Sequence, residues 1–145
     1  MTTILEFLAA LSAGLFTGAA LYINLVEHPA RMECGTAVAV TEFAPSYRRA
    51  SVMQASLATF GFISALIAWL SGSGRSWLIG GILLGAVIPL TLIVIFPTNK
   101  KLLDPFLDKN SELAARLLTR WGKLHAVRSF LGLASFLVFL YSLRD

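Results

Sequence analysis

The sequence predicts an all-α integral membrane protein, an up-down bundle of four helices. Hydrophobic residues make up 57% of the 145 and charged residues only 14%, with a mean hydropathy of +0.75, whereas soluble domains carry about 25% charge. The charges are also spaced out, with none from Phe7 to Val26 (20 residues), Ala50 to Gly74 (25), Ser76 to Asn99 (24) or Ser129 to Leu143 (15). Roughly 20 apolar residues cross a bilayer as a helix, so three runs span unaided and the fourth draws in residues before Ser129. The connections alternate in length: about 27–49 is long, Ser71 to Arg75 is a short Gly/Ser turn, and about 97–123 is long again. One domain covers 1–145, with spans expected at about 4–26, 50–71, 77–96 and 122–143.

Taken in order, the first segment lacks the basic n-region of a signal peptide and exceeds an ordinary h-region, so it is expected to be a retained span. It carries Gly14-Leu-Phe-Thr-Gly18, and the third span carries Gly81-Ile-Leu-Leu-Gly85. Such small-residue pairs let membrane helices approach closely. In the first long connection, Pro29 and Pro45 bracket the apolar run Thr36 to Val40, which predicts a short interfacial helix between them. Pro89 removes a backbone donor in the middle of the third span and predicts a bend. In the second long connection, Asn110 and Ser111 are N-cap residues before Glu112 to Trp121, where Leu113, Leu117 and Leu118 share a face. That helix is expected to run into the fourth span.

Ten of the twelve basic residues belong to the two long connections and the start of the fourth span, leaving Arg75 and Arg144 opposite. The positive-inside rule then expects both long connections in the cytoplasm and both termini outside. The same distribution suits lipid headgroups and argues against nucleic acid, which calls for a basic soluble face. A single cysteine, Cys34, excludes an internal disulfide and a multi-cysteine zinc site.

The polar residues collect at one membrane face. The first span ends with Asn24, Glu27, His28 and Arg31, the second opens with Tyr47, Ser51 and Gln54, the third ends in Pro97-Thr98-Asn99, and the fourth opens with Trp121, His125 and Arg128. Positions i, i+4 and i+7 share a helix side, so Asn24/His28/Arg31, Tyr47/Ser51/Gln54 and Trp121/His125/Arg128 each form a stripe. Depth sharpens the case for Arg128. The fourth charge-free run is about 22 Å long at 1.5 Å per residue, against a hydrocarbon thickness of roughly 30 Å. Arg128 therefore sits at or inside the boundary, where a charge costs up to about 2.5–3.5 kcal/mol and demands a partner. Glu27 is the partner expected at that depth. The two histidines admit three readings: acid and base, metal ligands that hold copper or iron together with Glu27 or flank a haem as its axial ligands, or structural hydrogen bonding. No closely spaced pair of ligands favours the metal, and no serine or cysteine nucleophile, phosphate loop or dinucleotide fingerprint is present.

With Asn24…Glu27-His28-Pro29-Ala30-Arg31, Tyr47-Arg-Arg-Ala50 with Gln54, Pro97-Thr98-Asn99 and Trp121…His125…Arg128, the chain resembles a family of small four-span membrane proteins that includes the fungal anthrone oxygenases. The resemblance covers nearly the whole chain in order. It implies an oxygenase that places oxygen from dioxygen on an anthrone-type aromatic to give a quinone, with no organic cofactor. The residues themselves suit that chemistry. His125 or His28 is a candidate base for a doubly benzylic C–H, while Arg128, Arg31, Asn24 or Asn99 would steady the enolate oxygen. Trp121 and Tyr47 offer flat surfaces to an aromatic ring, and an apolar substrate would arrive through the lipid. Two other readings use the same cluster: a module that binds or transports a hydrophobic or anionic amphiphile, and an assembly or scaffold protein.

Overall fold

The computed structural model describes residues 2–144. Four helices are long and apolar enough to cross a membrane: α1 (Thr3–Glu33), α2 (Thr36–Leu70), α3 (Arg75–Leu102) and α4 (Glu112–Ser142). Among the described residues there is no strand. The chain is a multi-pass integral membrane four-helix bundle. Helices α1 and α3 each pack against both α2 and α4, so successive helices are neighbours around the bundle and the diagonals barely meet.

Packing follows membrane rules. Fully buried alanines (Ala9, Ala13, Ala20, Ala58, Ala65) surround Phe16, Leu84 and Phe139, while Leu25, Phe60, Ile93 and Phe130 point outward. Lipid is as apolar as leucine, so helices gain most by close approach at small residues, and their large side chains face the acyl chains. A Cβ added at Gly80 would lie 2.5 Å from the Phe139 ring, and one at Gly132 would lie 2.7 Å from Phe16. Gly14 meets Phe136 of α4, and Gly81 and Gly85 meet Ala65 and Phe62 of α2, whereas Gly18 has open space. The two glycine pairs thus serve different neighbours, and the first uses one member only.

The first long connection departs from expectation. Instead of a separate interfacial helix between Pro29 and Pro45, α2 starts at Thr36 and passes through Pro45 unbroken. Only Cys34 and Gly35 separate it from α1, with Gly35 at φ +92°, a left-handed conformation that glycine adopts without a Cβ penalty. Pro45 is tolerated because Thr41, whose carbonyl loses its helical partner, is exposed along with it. At 1.5 Å per residue, α2 is about 52 Å long; its first third therefore stands clear of the hydrocarbon. There Ala39, Val40 and Phe43 join Ile23, Leu102, Leu117, Leu118 and Trp121 in a second core. The other long connection behaves as the sequence predicts. Ser111 caps α4 by accepting from the Ala114 amide at 3.1 Å, and the helix continues unbroken to Ser142.

Among the described residues two π-helical turns interrupt the bundle, Ile23–Glu27 in α1 and Leu90–Ile95 in α3. Each ends two residues before a proline, Pro29 or Pro97. A proline ring collides with the carbonyl four residues back, here that of Leu25 or Ile93, and widening the turn to i→i+5 bonding relieves the collision. Pro89 contributes as well: α3 loses its regular ladder around Ala86 and opens into the second wide turn directly after Pro89.

Candidate functional site

Both wide turns lie at the polar end of the bundle, where they frame a small cavity of about 20 Å³, room for about one water. Its walls hold His125 and Arg128 from α4, Asn99 from α3, Tyr47, Ser51 and Gln54 from α2, and Arg31 from the end of α1. One side is aromatic. Tyr47 stacks on Phe43 (ring centroids 5.7 Å apart, 9° between planes), Phe43 meets Trp121 edge-on (5.2 Å, 86°), and Trp121 stacks on His125 (4.7 Å, 28°).

Hydrogen bonds fix the His125 tautomer. The Asn24 side-chain amide donates to the Gly122 carbonyl at 3.1 Å, which orients its oxygen toward α4. That oxygen lies 2.7 Å from His125 Nδ1 and also accepts from the Ser129 hydroxyl. An amide oxygen can only accept, so Nδ1 carries the hydrogen and Nε2 keeps its lone pair. His125 is 3% exposed; its free nitrogen is a base shielded from bulk water.

The two cavity arginines differ. Arg31 is paired with carboxylates: its guanidinium meets Glu27, lies 2.7 Å from Glu42 through an Nε that is not aligned for a hydrogen bond, reaches Ser46 (3.3 Å) and lies 5.9 Å from the Trp121 ring centre. Ser46 also donates to Glu27, at 2.6 Å. Arg128 lies over the Phe16 ring at 5.2 Å and, among the described residues, pairs with no carboxylate. The expected Glu27–Arg128 pair is absent because Arg31, one turn along the same helix, takes that carboxylate. Among the described residues Arg128 Nε has no hydrogen-bond partner, and neither do Gln54 Nε2 and Asn99 Oδ1, although Gln54 and Asn99 are each 1% exposed.

Of the ten residues given candidate site roles from the sequence, seven line the cavity, Arg31, Tyr47, Gln54, Asn99, Trp121, His125 and Arg128, and Ser51 of the same α2 stripe lines it with them. Three do not. Asn24 stands behind His125 and holds it, Glu27 stands behind Arg31, and His28 lies in a separate shallow groove with Met32, Gly122 and Lys123. The His28 ring packs at 5.2 Å from Trp121, in space left by Gly122, where an added Cβ would come within 2.7 Å of its Nε2. Among the described residues no three His, Cys, Asp or Glu side chains gather as metal ligands, and the Glu27 carboxylate considered for that role is held by Arg31 and Ser46. Sequence reasoning missed Ser46, Glu42, Phe43 and Ser129. Ser129 follows His125 by one helical turn and was open to the same spacing argument; Glu42 and Ser46 were hidden by the expected break at Pro45.

The family described as anthrone oxygenase matches residues 43–138. A curated relative, anthrone oxygenase tpcL of Aspergillus fumigatus, is 27% identical over 132 residues, which cover 83% of this chain and 81% of the relative. No solved structure matches the chain. The family match takes in every cavity residue named from the sequence except Arg31, and extends over most of α2, all of α3 and most of α4. The chain belongs to the anthrone oxygenase family.

Proposed function

We propose that the protein is a membrane oxygenase that oxidises a hydrophobic aromatic of the anthrone or quinol type, with His125 as base and Arg128 holding the developing oxyanion. The observation that carries this reading is a buried guanidinium without a counter-ion sharing one cavity with a histidine whose free nitrogen is a lone pair. A buried cation is costly unless it is paired, and an enolate oxygen would supply the missing negative charge. Gln54 Nε2 and Asn99 Oδ1 add a spare donor and a spare acceptor for oxygen substituents on the ring. Family membership and the likeness to an anthrone oxygenase support the reaction class.

For a substrate with a CH2 between two aromatic rings and a ketone opposite, His125 Nε2 removes one methylene proton. The electron pair moves to the ketone oxygen, where Arg128 faces it. The electron-rich carbon then passes electrons to dioxygen and forms a C–O bond, giving a peroxide that takes the proton back from His125. Loss of the second methylene proton with cleavage of the O–O bond leaves the new ketone and releases water. One oxygen atom of dioxygen stays on carbon and the other leaves as water; two C–H bonds are lost and the substrate supplies all the electrons. Asn24 is a positioning residue that keeps Nε2 unprotonated at the start.

The test is turnover of anthrone by protein purified in detergent or nanodiscs, followed by dioxygen uptake and by product mass under isotopically heavy dioxygen. Heavy oxygen in the quinone with one dioxygen consumed per product supports the reading. Saturable binding without uptake would replace it with a binding module.

A further inference from the structure

Beside the inner cavity, and larger than it, a groove of about 160 Å³ runs between α2 and α3. Its apolar walls are Ala55 and Ala58 of α2 and Val87, Ile88 and Leu92 of α3, and its polar floor is Tyr47, Ser51 and Arg128, the same three side chains that line the inner cavity. Ala55 and Leu92 are exposed on the outer face of the bundle, and they lie in the charge-free runs 50–74 and 76–99 that the sequence marks for the hydrocarbon. The groove borders the start of the wide turn after Pro89, where α3 departs from a regular helix; Thr91, also in the groove, turns its hydroxyl back to the Val87 carbonyl at 2.6 Å.

We propose that this groove is where a planar aromatic ligand leaves the lipid and docks, its ring body between α2 and α3 and its oxygen-bearing edge at Arg128. The inference rests on the oxygenase reading for the identity of the ligand, and on two independent observations for the place. The first is size. A cavity of about 150 Å³ accommodates one benzene ring, so the groove takes a ring, whereas the inner cavity of about 20 Å³ takes only a water. The second is charge. Of the two arginines at the inner cavity, Arg128 is the one that pairs with no carboxylate among the described residues, and it lines both the cavity and the groove, so an oxyanion or carbonyl at the edge of a ring in the groove meets it first. A saturated acyl chain would fill the apolar walls but bring nothing to the guanidinium.

The test fills the groove from the lipid side. Ala55→Phe and Leu92→Phe each place a ring where the ligand would lie without adding a tryptophan, and Ser56→Phe, exposed on the same helix but outside the groove, is the control. The probe is 1-hydroxyanthraquinone, which has no methylene to oxidise, and binding to the full chain in nanodiscs is read by quenching of tryptophan fluorescence. Binding should weaken at least tenfold in both groove variants, with melting temperatures and the control unchanged. Equal binding by wild type and both variants, or no binding by wild type, overturns the proposal. Anthrone turnover measured in parallel separates the two claims. Anthrone oxidised with the same KM by wild type and variants removes the groove and keeps the oxygenase. Quinone binding abolished in the variants, with no oxidation by any protein, keeps the groove and removes the oxygenase.

Discussion

His125 and His28 both touch Trp121, yet they have unlike surroundings, and substitution separates them. His125→Gln keeps the length and a hydrogen bond to Asn24 but has no lone-pair nitrogen; general-base catalysis contributes about 10²–10⁴-fold, and kcat is expected to fall on that scale with the melting temperature preserved. His28→Gln should do the reverse, lowering the melting temperature while changing kcat per folded molecule only a few-fold. For Arg128 the informative change is to lysine, which keeps the charge and removes the planar fork of donors. If the guanidinium holds an oxyanion, Arg128→Lys lowers kcat/KM by about tenfold or more. A residue that only reached for lipid phosphates would tolerate lysine, so unchanged turnover would withdraw its role.

Elements report how much of this was legible beforehand. The stripe Trp121, His125, Arg128 was readable because α4 is regular from Glu112 to Ser142, so the i, i+4, i+7 rule holds along it. The stripe Asn24, His28, Arg31 was not, because the wide turn Ile23–Glu27 breaks the 3.6-residue period between its first member and the other two. Asn24 faces α4, whereas Arg31 turns to Glu42 and Ser46 on α2. Prolines were legible as irregularities but not as wide turns, since widening depends on what the neighbouring helices accept. Helix contacts yield a prediction of their own. The Gly80 backbone approaches α4 closely enough for its carbonyl to accept from Ser135 at 2.7 Å, and Phe139 fills the space of its missing side chain. Gly80→Ala is expected to destabilise by about 1–3 kcal/mol, as overpacking does, seen as a lower melting temperature with activity per folded molecule retained.

Across the whole molecule, the four charge-free runs sufficed to identify the bundle, because charge is excluded from hydrocarbon at a cost that no packing detail offsets. Charge also bears on orientation. With ten of twelve basic residues at the polar end, that end is expected in the cytoplasm, and alkaline phosphatase fused after Asp145 should be active; activity of a cytoplasm-only reporter at the same position would reverse the orientation. Fold and site respond differently to length. A π-turn holds one residue more than an α-helix of equal rise requires, so deleting Ile93, which is 73% exposed, lets α3 tighten into α-helix while both flanks keep their neighbours. Such a protein should still insert, but the Pro97 ring again meets a helical carbonyl four residues back, so it should melt lower than the parent; the turn that brings Ile95 to the cavity wall is remade, and turnover should be lost. On the oxygenase reading, a shortening by one residue would thus leave the bundle standing and silence the chemistry.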